Sequence, residues 1–290
     1  MYTKQKPFFI RVVTPLHAGT GSDIGIIDMP IQRERHTNFP KIESSGLKGS
    51  LREYFETTLK DKKTEINLVF GPEKNGGEHA AAFALTDASV LFFPVKSAKG
   101  VYALITCHSV LKRYNDFCGL YGDKPLGNID SLKISDGSCM VADKGRLSFD
   151  DKEVVLEEFA FKMVETTIDE GIKKHFKFVD AERIVCVSDN VFRDFVTLST
   201  ELITRNKVNS VTGTVKSGAL FSEEFLPPET VLYSFLQTGP VNKEKKDDLP
   251  LKTQGDVEKF LKDNFPDTFQ IGGDATIGKG IVKVYWKQEA

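Results

Sequence analysis

At 290 residues and a formal net charge of −2, the chain has no whole-molecule attraction for a polyanion, so any affinity for nucleic acid must come from local charge placement. With 40% hydrophobic residues, 28% charged residues and 22 Phe, it has ample apolar surface for a packed core, as one elaborate domain or two small ones. Cys107, Cys118, Cys139 and Cys186 stand 11, 21 and 47 residues apart without zinc-site spacing, and no apolar run approaches the roughly 18 residues that cross a bilayer. Free thiols in a cytoplasmic protein without a membrane partner are the expectation.

In chain order, Phe8 to Thr14 alternates as a strand does and stops at Pro15, and Gly19, Gly21 and Gly25 then make a loop. Leu47, Leu51, Tyr54, Phe55 and Leu59 recur at helical spacing behind Ser44 and Ser45, which predicts a helix over 46–60 with a serine cap. Ala82 to Val95 and Val101 to Thr106 read as strands around the Lys99-Gly100 turn, with a short helix from Val110 to Phe117. The polar stretch 119–151 reads as a connection.

The second half repeats the theme: strands at Val154 to Met163 and Arg183 to Val187, then a helix over 190–205 capped by Ser188 or Asp189. A β-hairpin around Gly213 over 206–221, a strand from Thr230 to Leu236, a helix from Val257 to Phe265 and a closing strand from Ile281 to Trp286 complete it. This order predicts an α+β, ferredoxin-like unit of two related halves, 1–118 and 152–290.

Residues 1–52 hold eight Lys or Arg against four Asp or Glu, a modest basic face on a slightly acidic body. Two glycine-rich stretches look like phosphate loops and fail as such. Gly273 to Lys279 fits a P-loop until Gly280 takes the place of the Mg²⁺-binding Ser or Thr, and a β-rich run follows where a helix is needed. Gly19 to Gly25 misplaces the last glycine of a dinucleotide fingerprint, and Pro30 blocks the helix. What survives is physical: glycines let main-chain N–H groups approach phosphate oxygens, and Lys279 adds charge. Lys48 and Arg52, four residues apart in the first turns of a helix, likewise suit an anion, with Arg33, Arg35 and Lys41 upstream.

The block from Thr14-Pro-Leu-His17-Ala-Gly-Thr-Gly through Pro-Ile-Gln-Arg-Glu to Ser-Gly-Leu-Lys-Gly-Ser-Leu-Arg closely resembles the RAMP superfamily of CRISPR proteins. Phe70-Gly-Pro, Asp87-Ala, Phe92-Phe-Pro-Val, Leu156-Glu-Glu-Phe, Asp189-Asn-Val-Phe-Arg-Asp and Thr212-Gly-Thr follow in the same order, so the resemblance spans the chain. Within the superfamily it is similar to the repeated backbone subunits of type III-B (Cmr) effectors.

The resemblance implies a ferredoxin-like, RRM-like fold whose copies stack as a filament along crRNA, bound to single-stranded target RNA and to other subunits of the complex. It assigns guide-backbone contacts to Ser44, Ser45, Lys48 and Arg52 and to a glycine-rich loop that includes Gly272, Gly273, Gly278 and Lys279. It makes hairpin 206–221, with Lys216, a thumb between guide and target. It associates Asp28 with target cleavage, and it draws Glu223 and Glu224 near the site, where Phe225 stands in place of a tyrosine common in relatives.

A splayed nucleotide can align its 2′-OH with the adjacent phosphate, so cleavage needs geometry, deprotonation and charge neutralisation rather than a protein nucleophile. A carboxylate with a pKa near ~4 is a weak base at neutral pH. Asp28 is better suited to hold or orient a hydrated divalent cation, Mg²⁺ or Mn²⁺. His17 is the candidate acid or base. Two other readings remain: a guide-binding scaffold without catalysis, and a nuclease that matures precursor guide RNA, for which His17 is the lone histidine candidate near the basic segment.

Overall fold

The computed structural model describes residues 2–22, 25–73, 79–120, 122–127, 129–150, 152–206, 212–215, 220–243 and 249–287. In chain order the elements are β1 (Lys4–Val12), β2 (Lys41–Ile42), α1 (Ser44–Thr58), α2 (Lys63–Phe70), β3 (Phe83–Leu85), β4 (Ala88–Ser97), β5 (Val101–Cys107) and α3 (His108–Leu120). There follow β6 (Ser138–Val141), α4 (Lys144–Leu147), β7 (Glu153–Leu156), β8 (Phe159–Met163), α5 (Glu170–His175), β9 (Ile184–Val187) and α6 (Asp189–Leu198). The chain ends with β10 (Glu201–Arg205), β11 (Phe221–Phe225), β12 (Val231–Thr238), α7 (Gln254–Asn264), β13 (Thr268–Gln270) and β14 (Ile281–Trp286).

One continuous sheet runs β13-β14-β1-β12-β4-β5-β9-β6-β8-β7. From β14 to β4 every pairing is antiparallel, with α1 in the connection from β1 to β4 and α7 in the connection from β12 to β14. Beyond β4 the pattern mixes, since β5 runs parallel to β9 and β6 parallel to β8. Ser97 of β4 also pairs with Leu156 of β7, so the strands from β4 to β7 close into a ring. β10 and β11 stand apart as a two-stranded antiparallel ribbon.

Phe8, Phe9 and Ile10 are all buried because β1 is covered on both faces. Phe8 meets Phe265 and Trp286 below α7, while Phe9 meets Tyr114 of α3 and Phe176 after α5. α1 packs on α7 through Phe55 and Phe260, with ring centroids 5.8 Å apart. The four cysteines are buried as free thiols.

The expected serine cap of α1 is corrected: Glu43 is its cap residue and offers no side-chain hydrogen bond, while Ser44 is already helical. Packing explains why the helix forms regardless. Leu47, Leu51 and Phe55 are buried, each stabilising by roughly 1.5–3 kcal/mol, whereas a cap contributes only about 1 kcal/mol. Ser188 does cap α6, accepting from the Val191 N–H, but that helix ends at Leu198 and Glu201–Arg205 is strand. Its alternating exposure suits a ribbon rather than a helix face. Stretch 119–151 is more than a connection, because β6 lies inside the sheet between β9 and β8. Val154 to Met163 is two strands around a turn where Glu157 takes φ +51°. Residues 207–211 and 216–219 of the expected 206–221 hairpin, Lys216 included, fall outside the described residues.

Candidate nucleic-acid interface

β11 carries the site, and its two faces hold different chemistry, since successive side chains point to opposite sides of a strand. On one face Ser222 holds Asp28: the Ser222 N–H donates to Asp28 Oδ2 at 2.7 Å and its hydroxyl donates to the same oxygen at 2.9 Å. Asp28 is exposed. The Ser222 main-chain bond, then its hydroxyl, hold the Asp28 carboxyl below the usual carboxylate range. Met29 runs beside Glu223 as a parallel bridge, with Met29 N–H donating to Ser222 O and Glu224 N–H donating to Met29 O, both at 3.0 Å.

Glu224, on the same face, is buried and fully engaged. Its Oε1 accepts from Arg33 Nη2 at 2.5 Å and from the Thr200 hydroxyl at 2.8 Å, and its Oε2 accepts from the Ile31 N–H at 3.0 Å. Arg33 Nη1 also donates to Asn38 O and to Val196 O near the end of α6. Glu224, expected near the cutting site, and Arg33, expected to meet RNA, are instead bonded to each other, an internal tie between the loop after Asp28, α6 and the ribbon.

On the opposite face, Glu223 and Phe225 meet His17, Arg205 and the glycine-rich loop. His17 Nδ1 donates to Glu224 O at 2.7 Å, which leaves Nε2 3.7 Å from Glu223 Oε1. Arg205, at the end of β10, grips Asp274 with both terminal nitrogens, at 2.9 and 2.5 Å. Its Nε lies 3.2 Å from Glu223 Oε2 without the alignment of a hydrogen bond. Burial, then the Asp274 charge, push the Glu223 carboxyl up; burial acts the same way on Asp274, but the Arg205 and Glu223 bonds and the Arg205 and His17 charges together outweigh it and hold Asp274 low. The two acids and the arginine form one ionisable cluster. His17 is buried in this lock, on the side of β11 away from Asp28.

The two glycine-rich stretches are one surface. Gly273 N–H donates to His17 O and Gly280 N–H donates to Pro15 O, both at 2.9 Å. A Cβ on Gly272, at φ +83°, would sit 2.1 Å from His17 O, so only glycine fits there. Ala275–Ile277 forms a single 3₁₀ turn, and β14 follows, which agrees with the rejection of a P-loop. Gly278 is exposed, and Lys279 leans over the Phe225 ring at 5.1 Å.

Lys48 and Arg52 do share a helix face, but that face is turned inward. Lys48 Nζ donates to Phe83 O at 3.1 Å above the Phe83 ring, and burial with the nearby Arg52 charge pulls it down to about 8. Arg52 donates to Glu56, to Gly71 O at the end of α2 and to Asn67. Lys41 is paired with Glu43 and Asp87, and the Asp87 carboxylate takes the Ser44 N–H at 2.9 Å. A side-chain carboxylate thus already sits at the start of α1. What remains open is small: Ser45, Gly46 and Gly49 are exposed with free space around both glycines, and Arg35 is exposed without an ion pair among the described residues.

A model of the RAMP superfamily matches residues 9–283. The chain belongs to the RAMP superfamily. The CRISPR system Cmr endoribonuclease Cmr4 of Pyrococcus furiosus is 38% identical over 96% of this chain and 94% of its own length. The crystal structure of oligomeric Cmr4 from Pyrococcus furiosus superposes with a TM-score of 0.76 at 31% identity, covering 99% of both chains. A chain of the type III-B Cmr-beta complex bound to cognate target RNA gives a TM-score of 0.78 at 25% identity, covering 98% of both. Within the RAMP superfamily the chain is a Cmr4 homologue. No helix among the described residues is long and apolar enough to cross a membrane.

For this RAMP protein, sequence reasoning singled out Asp28 and missed its holder, Ser222, which lies 194 residues away. Arg205 and Asp274 were missed as well; an Asp directly after two glycines, a residue type that tolerates the αL conformation Asp274 adopts at φ +63°, was the available signal. Among the described residues no three metal-ligating side chains converge. Asp28 Oδ1 accepts no hydrogen bond among the described residues, and a single open carboxylate oxygen would suit a hydrated Mg²⁺ or Mn²⁺ rather than an ion caged by protein.

Proposed function

We propose that the chain is a crRNA-binding backbone subunit of a type III-B effector, stacked with its own copies along the guide, which cuts bound target RNA at regular intervals with Asp28 at the cut. The observation that carries this is an exposed aspartate held below the usual carboxylate range and fixed to one face of a ribbon strand whose other face meets the glycine-rich loop. The relatives support it: Cmr4 of Pyrococcus furiosus is named an endoribonuclease and is oligomeric in its crystal structure, and a second relative belongs to a complex bound to target RNA. The antiparallel order β14-β1-β12-β4, with α1 and α7 as crossovers, supports a ferredoxin-like unit, from which the β10–β11 ribbon leads into the thumb. That unit draws strands from both ends of the chain, so the two halves are better divided by sheet position than at residues 118 and 152.

The guide-facing set then comprises Ser45, the open N–H groups near Gly46, Arg35, Lys279 and the loop of Gly272, Gly273 and Gly278. Ser44, Lys41, Lys48, Arg33 and Arg52 support that surface from behind.

In the reaction the target 2′-oxygen bonds to the adjacent phosphorus while the bond to the 5′-oxygen breaks. The 2′-OH gives up a proton and the 5′-oxygen gains one, leaving a 2′,3′-cyclic phosphate and a 5′-OH. A carboxylate held below its usual range is a poor proton acceptor near neutral pH, so Asp28 orients rather than deprotonates. A divalent cation held there by Asp28 would supply charge neutralisation for the phosphate and an acidified water.

Reconstituted complexes carrying Asp28→Asn should bind target as wild type does and cut it at least about a hundredfold more slowly; undiminished cutting overturns the assignment. The isolation of Asp28 from other metal ligands favours one alternative, a scaffold without catalysis. Wild-type complexes that leave bound target intact in Mg²⁺ would establish it.

A further inference from the structure

We propose that Ser222 is the positioning residue of the cutting site, fixing the Asp28 carboxylate in one orientation with one oxygen turned outward. This rests on the assignment of cleavage to Asp28.

The Ser222 hydroxyl accepts from the Asp28 N–H at 3.1 Å and donates to Asp28 Oδ2 at 2.9 Å, so its one proton is committed to the carboxylate. The Ser222 N–H adds a second bond to the same oxygen at 2.7 Å. Oδ2 therefore carries both internal bonds, and Oδ1 carries none among the described residues. An exposed aspartate without such ties samples several rotamers, and a reacting group displaced by about 1 Å can lose a hundredfold in rate. Both bonds also favour the ionised form, which keeps the carboxylate charged as the solution becomes acidic.

The clamp is separable from the docking of its loop. Met29 N–H to Ser222 O, Glu224 N–H to Met29 O and Ile31 N–H to Glu224 Oε2 hold the segment on β11 without the serine hydroxyl. Ser222→Ala therefore removes both bonds of the hydroxyl and loosens the carboxylate, which keeps only the main-chain N–H on Oδ2, while the strand and loop stay paired. Ser222→Thr keeps the hydroxyl and suits a strand residue opposite Thr204.

The test uses assembled complexes with labelled target RNA under single-turnover conditions. Ser222→Ala should slow cleavage about tenfold to a hundredfold with target affinity unchanged, and Ser222→Thr should restore most of the rate. In an Asp28→Asn background, Ser222→Ala should have no further effect on residual cutting. Wild-type cutting by Ser222→Ala, with Asp28→Asn still impaired, overturns the role of Ser222 and leaves that of Asp28 standing. Undiminished cutting by Asp28→Asn removes the foundation instead. An equal slowing in both backgrounds, or weaker target binding by Ser222→Ala, marks a merely structural serine and overturns the proposal.

Discussion

Asp28 and Glu223 are the same chemical group held at neighbouring points of one strand, and their surroundings give them opposite properties. Asp28 is exposed, bonded to two donors of Ser222 and held below the usual carboxylate range. Glu223 is buried beneath the glycine-rich loop, faces a second acid and is pushed up. The difference teaches that position on β11, more than residue type, separates chemistry from structure. The outward face presents a charge to RNA, while the inward face locks the ribbon to the loop that shares its surface.

The largest effect that could break this comparison is on cutting. Asp28→Asn should lower the rate by at least about a hundredfold without altering the denaturation midpoint, and a large loss of stability would place Asp28 with the structural acids. Next comes Glu224→Gln, which leaves Arg33 facing a neutral partner inside the protein. It should cost about 3–5 kcal/mol in denaturant unfolding, and a cost under about 1 kcal/mol would deny the tie. Arg35→Ala and Lys279→Ala should each flatten the salt dependence of guide binding by about 0.7 in the log–log slope, whereas Arg52→Ala should mainly destabilise, through unpaired Gly71 O and Asn67. An Arg52→Ala variant of unchanged stability and flattened slope would reverse that division.

Glu223→Gln should be the mildest, within about 1 kcal/mol at neutral pH, because a neutral amide stands in for an acid already pushed toward its neutral form. Its sign is checkable. With its carboxyl raised above the unfolded value, near ~4.3, Glu223 contributes stability fully present below that value and lost as pH rises through its folded value. Glu223→Gln should remove that loss from the stability–pH curve. Abolished cutting in a well-folded Glu223→Gln protein would erase the distinction between the two carboxylates.

The sequence was legible where local rules decide. Helix α1 and strand β14 were readable from spacing, and Asp28 and the glycine loop from motif order. It was opaque where distant partners decide. Lys48 and Arg52 look like free cations because nothing local reveals that Phe83 O, Gly71 O and Asn67 take them up. β6 hides in a polar stretch because its four residues are too few to show a period. The end of α6 was missed because the strand after it alternates under a helix-like composition. The tie that occupies Glu224 was hidden because its arginine partner, 191 residues away, is invisible to spacing.

The stitching of the Pro15–His17 loop to the glycine-rich loop has a consequence for folding. Ile281 N–H reaches Thr14 Oγ1 across 267 residues, so these two loops close on each other only when nearly the whole chain is present. Contacts of such separation form late, after loop-closure entropy has been met by the rest of the sheet. A growing or truncated chain that lacks β14 keeps both Asp28 and its holder Ser222 but not the strand that anchors Thr14.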